Sequence, residues 1–165
     1  MPREARRLTQ ADQPAWRNLR IEALERFPSA FLTGVEEQQQ RSAAKDRAGL
    51  ATGNWWGLFD TEMIGQAALI PMPQIACTHR MEIGAFYLTP GFQGTGAAEY
   101  LMQTMEDAAR ARDALQLELS VAASNPKAIR FYEKLGFRRY GIQPRAVILN
   151  GQPQDDLFYV KMLDG

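Results

Sequence analysis

The sequence predicts a single α+β domain of three layers, with helices on both sides of one mixed sheet, spanning residues 1–165. Three observations carry that reading. Segments of strand and helix periodicity follow in the order strand, two helices, three strands, helix, strand, helix, two strands, giving seven strands and four helices. A length of 165 residues with 45% apolar and 23% charged side chains suits one sizeable core. No repeat, low-complexity tract or linker interrupts the chain.

Residues 5–8 form a first strand. Thr9 and Asp12 then suit the start of a helix, one as N-cap and one in the first turn. Trp16, Leu19, Ala23, Leu24 and Phe27 recur at helical spacing, and Pro28 ends the helix. A loop over 28–34 leads to a polar helix over 35–48, closed by Gly49. Residues 54–59 and 63–70 form a hairpin through Asp60, Thr61 and Glu62, with Pro71 and Pro73 closing the second strand. Trp55 and Trp56 are adjacent on a strand and so face opposite sides, one toward the core. A loop through Cys77 and His79 reaches a central strand over 81–88. The next helix buries Ala98, Leu101, Met102, Met105, Ala108 and Ala109, with Arg110 and Arg112 suited to its C-terminal end. Leu115, Leu117, Leu119 and Val121 alternate as a strand. Asn125 as N-cap and Pro126 in the first turn open a last helix, with Ala128, Phe131, Tyr132 and Leu135 on one face and Gly136 at its end. Strands over 137–149 and 157–163 finish the chain, joined by Asn150, Gly151 and a polar acidic loop.

Composition bounds the function. Formal net charge is zero, which argues against duplex nucleic acid or an anionic membrane as partner. The one cysteine, Cys77, excludes an internal disulfide and fits a reducing compartment. The first residues contain no apolar stretch of signal-peptide type, and no apolar run approaches membrane-spanning length, so a cytoplasmic protein is expected. His79 has no second ligand at metal spacing, and no metal is expected.

Between the central strand and the next helix lie Gln93, Gly94, Thr95, Gly96, Ala97 and Ala98. Glycines let the backbone turn sharply and approach a ligand. The first N–H groups of a helix have no internal acceptor, and the helix dipole adds positive charge there. Such a turn suits a phosphate or pyrophosphate. Neither the dinucleotide fingerprint nor the Lys-Ser/Thr of a nucleotide-binding loop is present, which disfavours NAD and ATP.

A second stretch narrows the ligand. Asn125, Ala128, Phe131, Tyr132, Gly136 and Phe137 stand in the order N-x-x-A-x-x-F-Y-x-x-x-G-F, and Gln93, Gly96 and Ala98 stand as Q-x-x-G-x-A. Together they resemble the GNAT superfamily of N-acetyltransferases, specifically so from about residue 81 to 141. Gln93 replaces the commoner Arg and Ala98 the commoner Gly, so Gln93 keeps a donor but loses a charge. The resemblance implies a mostly antiparallel sheet of about seven strands and about four helices, with the fourth and fifth strands splayed to admit acetyl-CoA as co-substrate. It implies that the backbone of Phe86, Tyr87 and Leu88 pairs with the pantetheine arm and that 93–98 hold the pyrophosphate. Asn125 and Ala128 would lie along the cofactor, Tyr132 would be general acid for the thiolate, and Glu82 general base. The acceptor it implies is a primary amine of a small molecule or peptide, attacking directly in a ternary complex, and relatives favour a homodimer. Phe31, Glu36, Glu37 and residues 152–156 occupy the regions that shape the acceptor site in that family. Acidic side chains there would favour a cationic amine. A non-catalytic acyl-CoA-binding module on the same fold is the alternative.

Overall fold

A computed structural model describes residues 2–165. Seven strands form one sheet in the order β1-β2-β3-β4-β5-β7-β6. They are β1 (Glu4–Arg7), β2 (Trp55–Asp60), β3 (Glu62–Pro71), β4 (Arg80–Leu88), β5 (Gln116–Ala122), β6 (Arg138–Leu149) and β7 (Gln152–Met162). Every neighbouring pair is antiparallel except β4 and β5. The helices are α1 (Gln13–Arg26), α2 (Val35–Gln40), α3 (Ala43–Ala51), α4 (Ala97–Arg110) and α5 (Pro126–Lys134).

The main core lies on one face of the sheet. Leu69, Met81, Ile83, Leu117, Leu119 and Tyr159 meet Leu101, Met102 and Met105 of α4 there, all nearly free of solvent. At ~25 cal/mol per Å² of apolar area, these residues dominate the driving force for folding. On the other face α1 contributes Leu19 and Ala23 against Tyr87.

Five expectations need correction. The polar helix over 35–48 is two helices. Arg41 is extended, Ser42 caps α3 by accepting from Lys45 N–H at 3.2 Å, and Arg17 donates to the freed carbonyls of Gln38, Gln39 and Arg41. The helix also runs through Gly49 and stops before Gly53, whose φ is +75°. The acidic loop over 152–156 is strand: Asn150 (φ 51°) and Gly151 (φ 76°) form a two-residue turn of left-handed conformation, which lets pairing start at once with Leu149↔Gln152. Thr9 caps a short 3-10 turn (Gln10–Asp12) rather than α1 itself, and Phe27 lies past the end of α1, exposed.

The helical layer over β2 and β3 is fixed by one carboxylate. Asp46, fully buried, accepts from Gln13 (3.1 Å), Arg17 (2.7 Å), Gln38 (3.2 Å) and Arg41 (3.1 Å), so that α1, α2 and α3 share one anchor. Removing one partner of such a group strands the others. Asp46→Ala is therefore expected to lower unfolding free energy by about 3 kcal/mol in urea titration.

Candidate functional site

The site begins where β4 and β5 part. Their parallel pairing covers only Arg80↔Gln116, Met81↔Leu117 and Glu82↔Glu118. Beyond it β4 carries a bulge against β3. Gln66 pairs with Tyr87 and Ala68 with Gly84, so two residues of β4, Ala85 and Phe86, stand opposite one of β3. Ala85 has φ +52°, uncommon for a residue with a Cβ. The extra residue resets the alternation. Met81 and Ile83 belong to the main core, and after the bulge so do Phe86 and Leu88, while Tyr87 turns to the α1 side. Tyr87 Oη donates to Glu22 at 2.7 Å, as does Thr89 Oγ1. Because Thr89 N–H bonds to Ile64 of β3, the N–H of Leu88 points the other way, into the gap left by β5.

Two adjoining cavities open at that gap. One, of about 260 Å³, is lined by Phe86, Tyr87, Leu88, Gln93, Gly94, Ala98, Asn125, Ala128 and Tyr132, with Phe27 and Lys127. Thr95, Gly96 and Ala97 do not line it. Thr95 Oγ1 is turned onto the Phe92 carbonyl, Gly96 is the left-handed N-cap of α4 with φ +80°, and Ala97 is fully buried in the core. A Cβ added at Gly94 or Gly96 would meet no atom within 4 Å, so the outer face of this turn is open. The shape suits a tetrahedral anion held by backbone N–H groups at the start of α4.

Lys127 was not singled out from sequence. Its Nζ donates to Gln93 Oε1, which returns to the turn the positive charge that an arginine at 93 would have carried. Asn125 Oδ1 accepts from Ala128 N–H at 3.2 Å as the N-cap of α5, leaving its amide donors unspent.

The second cavity, about 300 Å³, lies on the α1 side of the gap and shares Phe31, Phe86, Asn125, Ala128 and Tyr132 with the first. Glu82, Ser120, Trp55, Ile70 and Arg20 complete its wall. Tyr132 is 8% exposed and packed edge-on against Phe131 (5.4 Å) and Phe137 (5.8 Å). Burial pushes its hydroxyl pKa well above the ordinary value. Glu82 is half-buried. Desolvation, then the neighbouring Glu118, raises its pKa, and Arg80 opposes the rise. Glu118 stays low because Arg80 grips it with two bonds of 2.6 and 2.7 Å. Two carboxylates at one level of the sheet are thus driven apart, one fixed as an anion and one eased toward neutrality.

Trp55 faces the second cavity and Trp56 the main core, as their alternation requires. Glu36 and Glu37 are exposed and outside this cavity, and residues 152–156 line neither cavity. Instead Gln154 clasps the rim, donating to the Ser29 carbonyl (2.8 Å) and accepting from Ser124 Oγ (3.1 Å). The charges that border the second cavity are therefore Glu82 and Arg20 rather than a run of acids.

Known proteins resemble this chain in sequence and fold. The model of the acetyltransferase (GNAT) family matches residues 14–137. The chain belongs to that family. An uncharacterized N-acetyltransferase of Mycobacterium tuberculosis is 35% identical over 104 residues, 63% of each chain, so the match spans less than two thirds of that relative. One from Bacillus subtilis is 36% identical over 63 residues, 38% of this chain and 40% of its own. Among solved structures, an acetyltransferase of Salmonella typhimurium, determined with its cofactor acetyl-CoA, superposes with a TM-score of 0.84 at 18% identity, covering 100% of this chain and 96% of that one. A GNAT-family acetyltransferase from Streptococcus pneumoniae gives 0.84 at 15% identity, covering 98% and 99%. These two structures share the overall fold of this chain. Among the described residues no helix is long and apolar enough to cross a membrane, and no three His, Cys, Asp or Glu side chains converge as a metal site.

Proposed function

We propose that this GNAT-family chain transfers an acetyl group from acetyl-CoA to a primary amine of a small molecule or peptide, by direct attack in a ternary complex. The observation that carries the reading is the unpaired edge of β4, which joins an open glycine turn to a cleft holding both Tyr132 and Glu82. The backbone of Phe86, Tyr87 and Leu88 offers strand-like pairing to the pantetheine arm, with Ala128 opposite and the Asn125 amide as a donor. The N–H groups of 93–98 and the Lys127 ammonium hold the pyrophosphate. A single free thiol, Cys77, fits work in the cytoplasm.

Glu82 accepts a proton from the incoming ammonium, directly or through water, because a carboxylate of raised pKa in a half-dry cleft is a competent base. The freed amine adds to the thioester carbonyl. Leu88 N–H donates to the resulting oxyanion. Collapse breaks the C–S bond, and Tyr132, protonated at neutral pH, gives its proton to the leaving thiolate. The nitrogen loses two protons between ammonium and amide, the first to Glu82 and the second as the adduct collapses; one replaces the proton that Tyr132 gives to sulfur and the other passes to solvent, so the step balances with amide, thiol and one released proton.

The binding half is tested by thermal unfolding. CoA and acetyl-CoA should raise the melting temperature and ATP should not, because only a ligand of the folded state stabilises it. Lys127→Ala should shrink the CoA shift while leaving the ligand-free value unchanged. Stabilisation by ATP alone would overturn the reading.

The chemical half is tested by rate. Tyr132→Phe is expected to lower kcat roughly 100-fold with little change in acetyl-CoA KM; an unaltered kcat removes Tyr132 as acid.

Since Glu82 must be ionised to act and its pKa is raised, kcat/KM should fall on the acidic side through a limb lying above the usual carboxylate range. Glu82→Gln should abolish that limb, and its survival would exclude Glu82 as base.

A further inference from the structure

Arg20 interrupts the apolar stripe of α1 between Leu19 and Ala23 and is only 7% exposed. Its Nη1 is buried with no hydrogen-bond partner, and the guanidinium forms no ion pair among the described residues. The rings of Phe31 and Trp55 lie 5.1 and 5.9 Å from it. Aromatic faces attract a cation but accept no N–H bond in the plane of the guanidinium. The buried acid on the neighbouring helices, Asp46, is already engaged by four side chains. Burial lowers the Arg20 pKa to about 10, still far above neutrality, so the group is a cation without a counter-ion.

A fold seldom retains a buried, unpaired charge, because leaving it without an anion is costly. This one lines the same cavity as Glu82 and Tyr132 and is the only cation among the described residues that does so. Trp55, beneath the guanidinium, pairs with Ala68, and Ala68 with Gly84, two residues from Glu82 on the same face. The backbone under the cation on β2 and that of the carboxylate on β4 are therefore two strand spacings and two residues apart, roughly 12 Å. A small acceptor could present an amine to one end of the cavity and an anion to the other.

We propose that Arg20 recognises a carboxylate on the acceptor, so that the amine acetylated here belongs to an amino-acid-like small molecule. The inference rests on the acetyl-transfer reading above and concerns only its second substrate. A planar fork that meets a carboxylate with two parallel bonds explains why an arginine, rather than an apolar residue, fills this position in the helix stripe.

The test uses the whole chain with acetyl-CoA and a panel of L-α-amino acids and ω-amino carboxylic acids, each beside its own carboxamide. Thiol release should favour the carboxylate over the matched amide roughly 10- to 100-fold in kcat/KM for the preferred acceptor. Arg20→Met should remove that preference through acceptor KM, leave acetyl-CoA KM unchanged, and keep or raise the melting temperature, since an apolar replacement relieves an unpaired buried charge. Arg20→Lys, which keeps the charge without the fork, should fall between. Equal or better use of the amides overturns the proposal, as does retention of the preference in Arg20→Met. Where turnover is undetectable, failure of every carboxylate in the panel to raise the melting temperature in the presence of CoA overturns it as well. A CoA-induced shift in that same measurement keeps the failure distinct from failure of the acetyl-transfer reading.

Discussion

Three residue pairs of parallel ladder hold β4 to β5, and the ladder then stops. Backbone N–H and C=O groups left without a partner inside a protein are unfavourable, so a sheet opens only where something compels it. Here the bulge at Ala85 and Phe86 compels it. Its left-handed residue turns the strand, satisfies the β3 side, and leaves the opposite edge facing an empty wedge. The two cavities, the Leu88 N–H turned away from β3, and the placing of Tyr132 and Glu82 on the wall of one cavity all follow from that divergence.

Charge is distributed around the wedge with equal economy. Arg80 neutralises Glu118 and leaves Glu82 as the carboxylate whose pKa burial raises. Lys127 stands beside the glycine turn and Arg20 at the opposite end. A chain of zero net charge thus keeps a cation at each extremity of one cleft and a half-buried carboxylate between them. Long-range attraction is not needed for this arrangement; local desolvation gives each charge its strength.

Much of this was legible in the sequence. Strand patterns marked all seven strands, and Gly96, Asn125 and Gly136 marked helix ends, because those positions obey local rules of turn and cap geometry. The split between α2 and α3 was not legible, since it depends on Arg17 reaching from another helix to free carbonyls. Lys127 was hidden for a similar reason: its meaning appears only when α5 sits beside Gln93. Arg20 carried a faint signal, a charge inside an apolar helical stripe, which the periodicity of its neighbours obscured. The acidic residues at 36 and 37 drew attention by composition alone and proved to face solvent.

Trp55 forms the floor under Arg20 and touches Trp16 edge-on at 5.0 Å. An indole's emission follows the charge and polarity around it. With three tryptophans in the chain, one of them at the cavity wall and a second packed edge-on behind it, the protein carries its own optical gauge of that space. A molecule entering beside Arg20 alters the field at Trp55 without any added label, whereas one confined to the glycine turn leaves it nearly untouched. Occupancy of the two halves of the cleft is therefore separable by light as well as by rate.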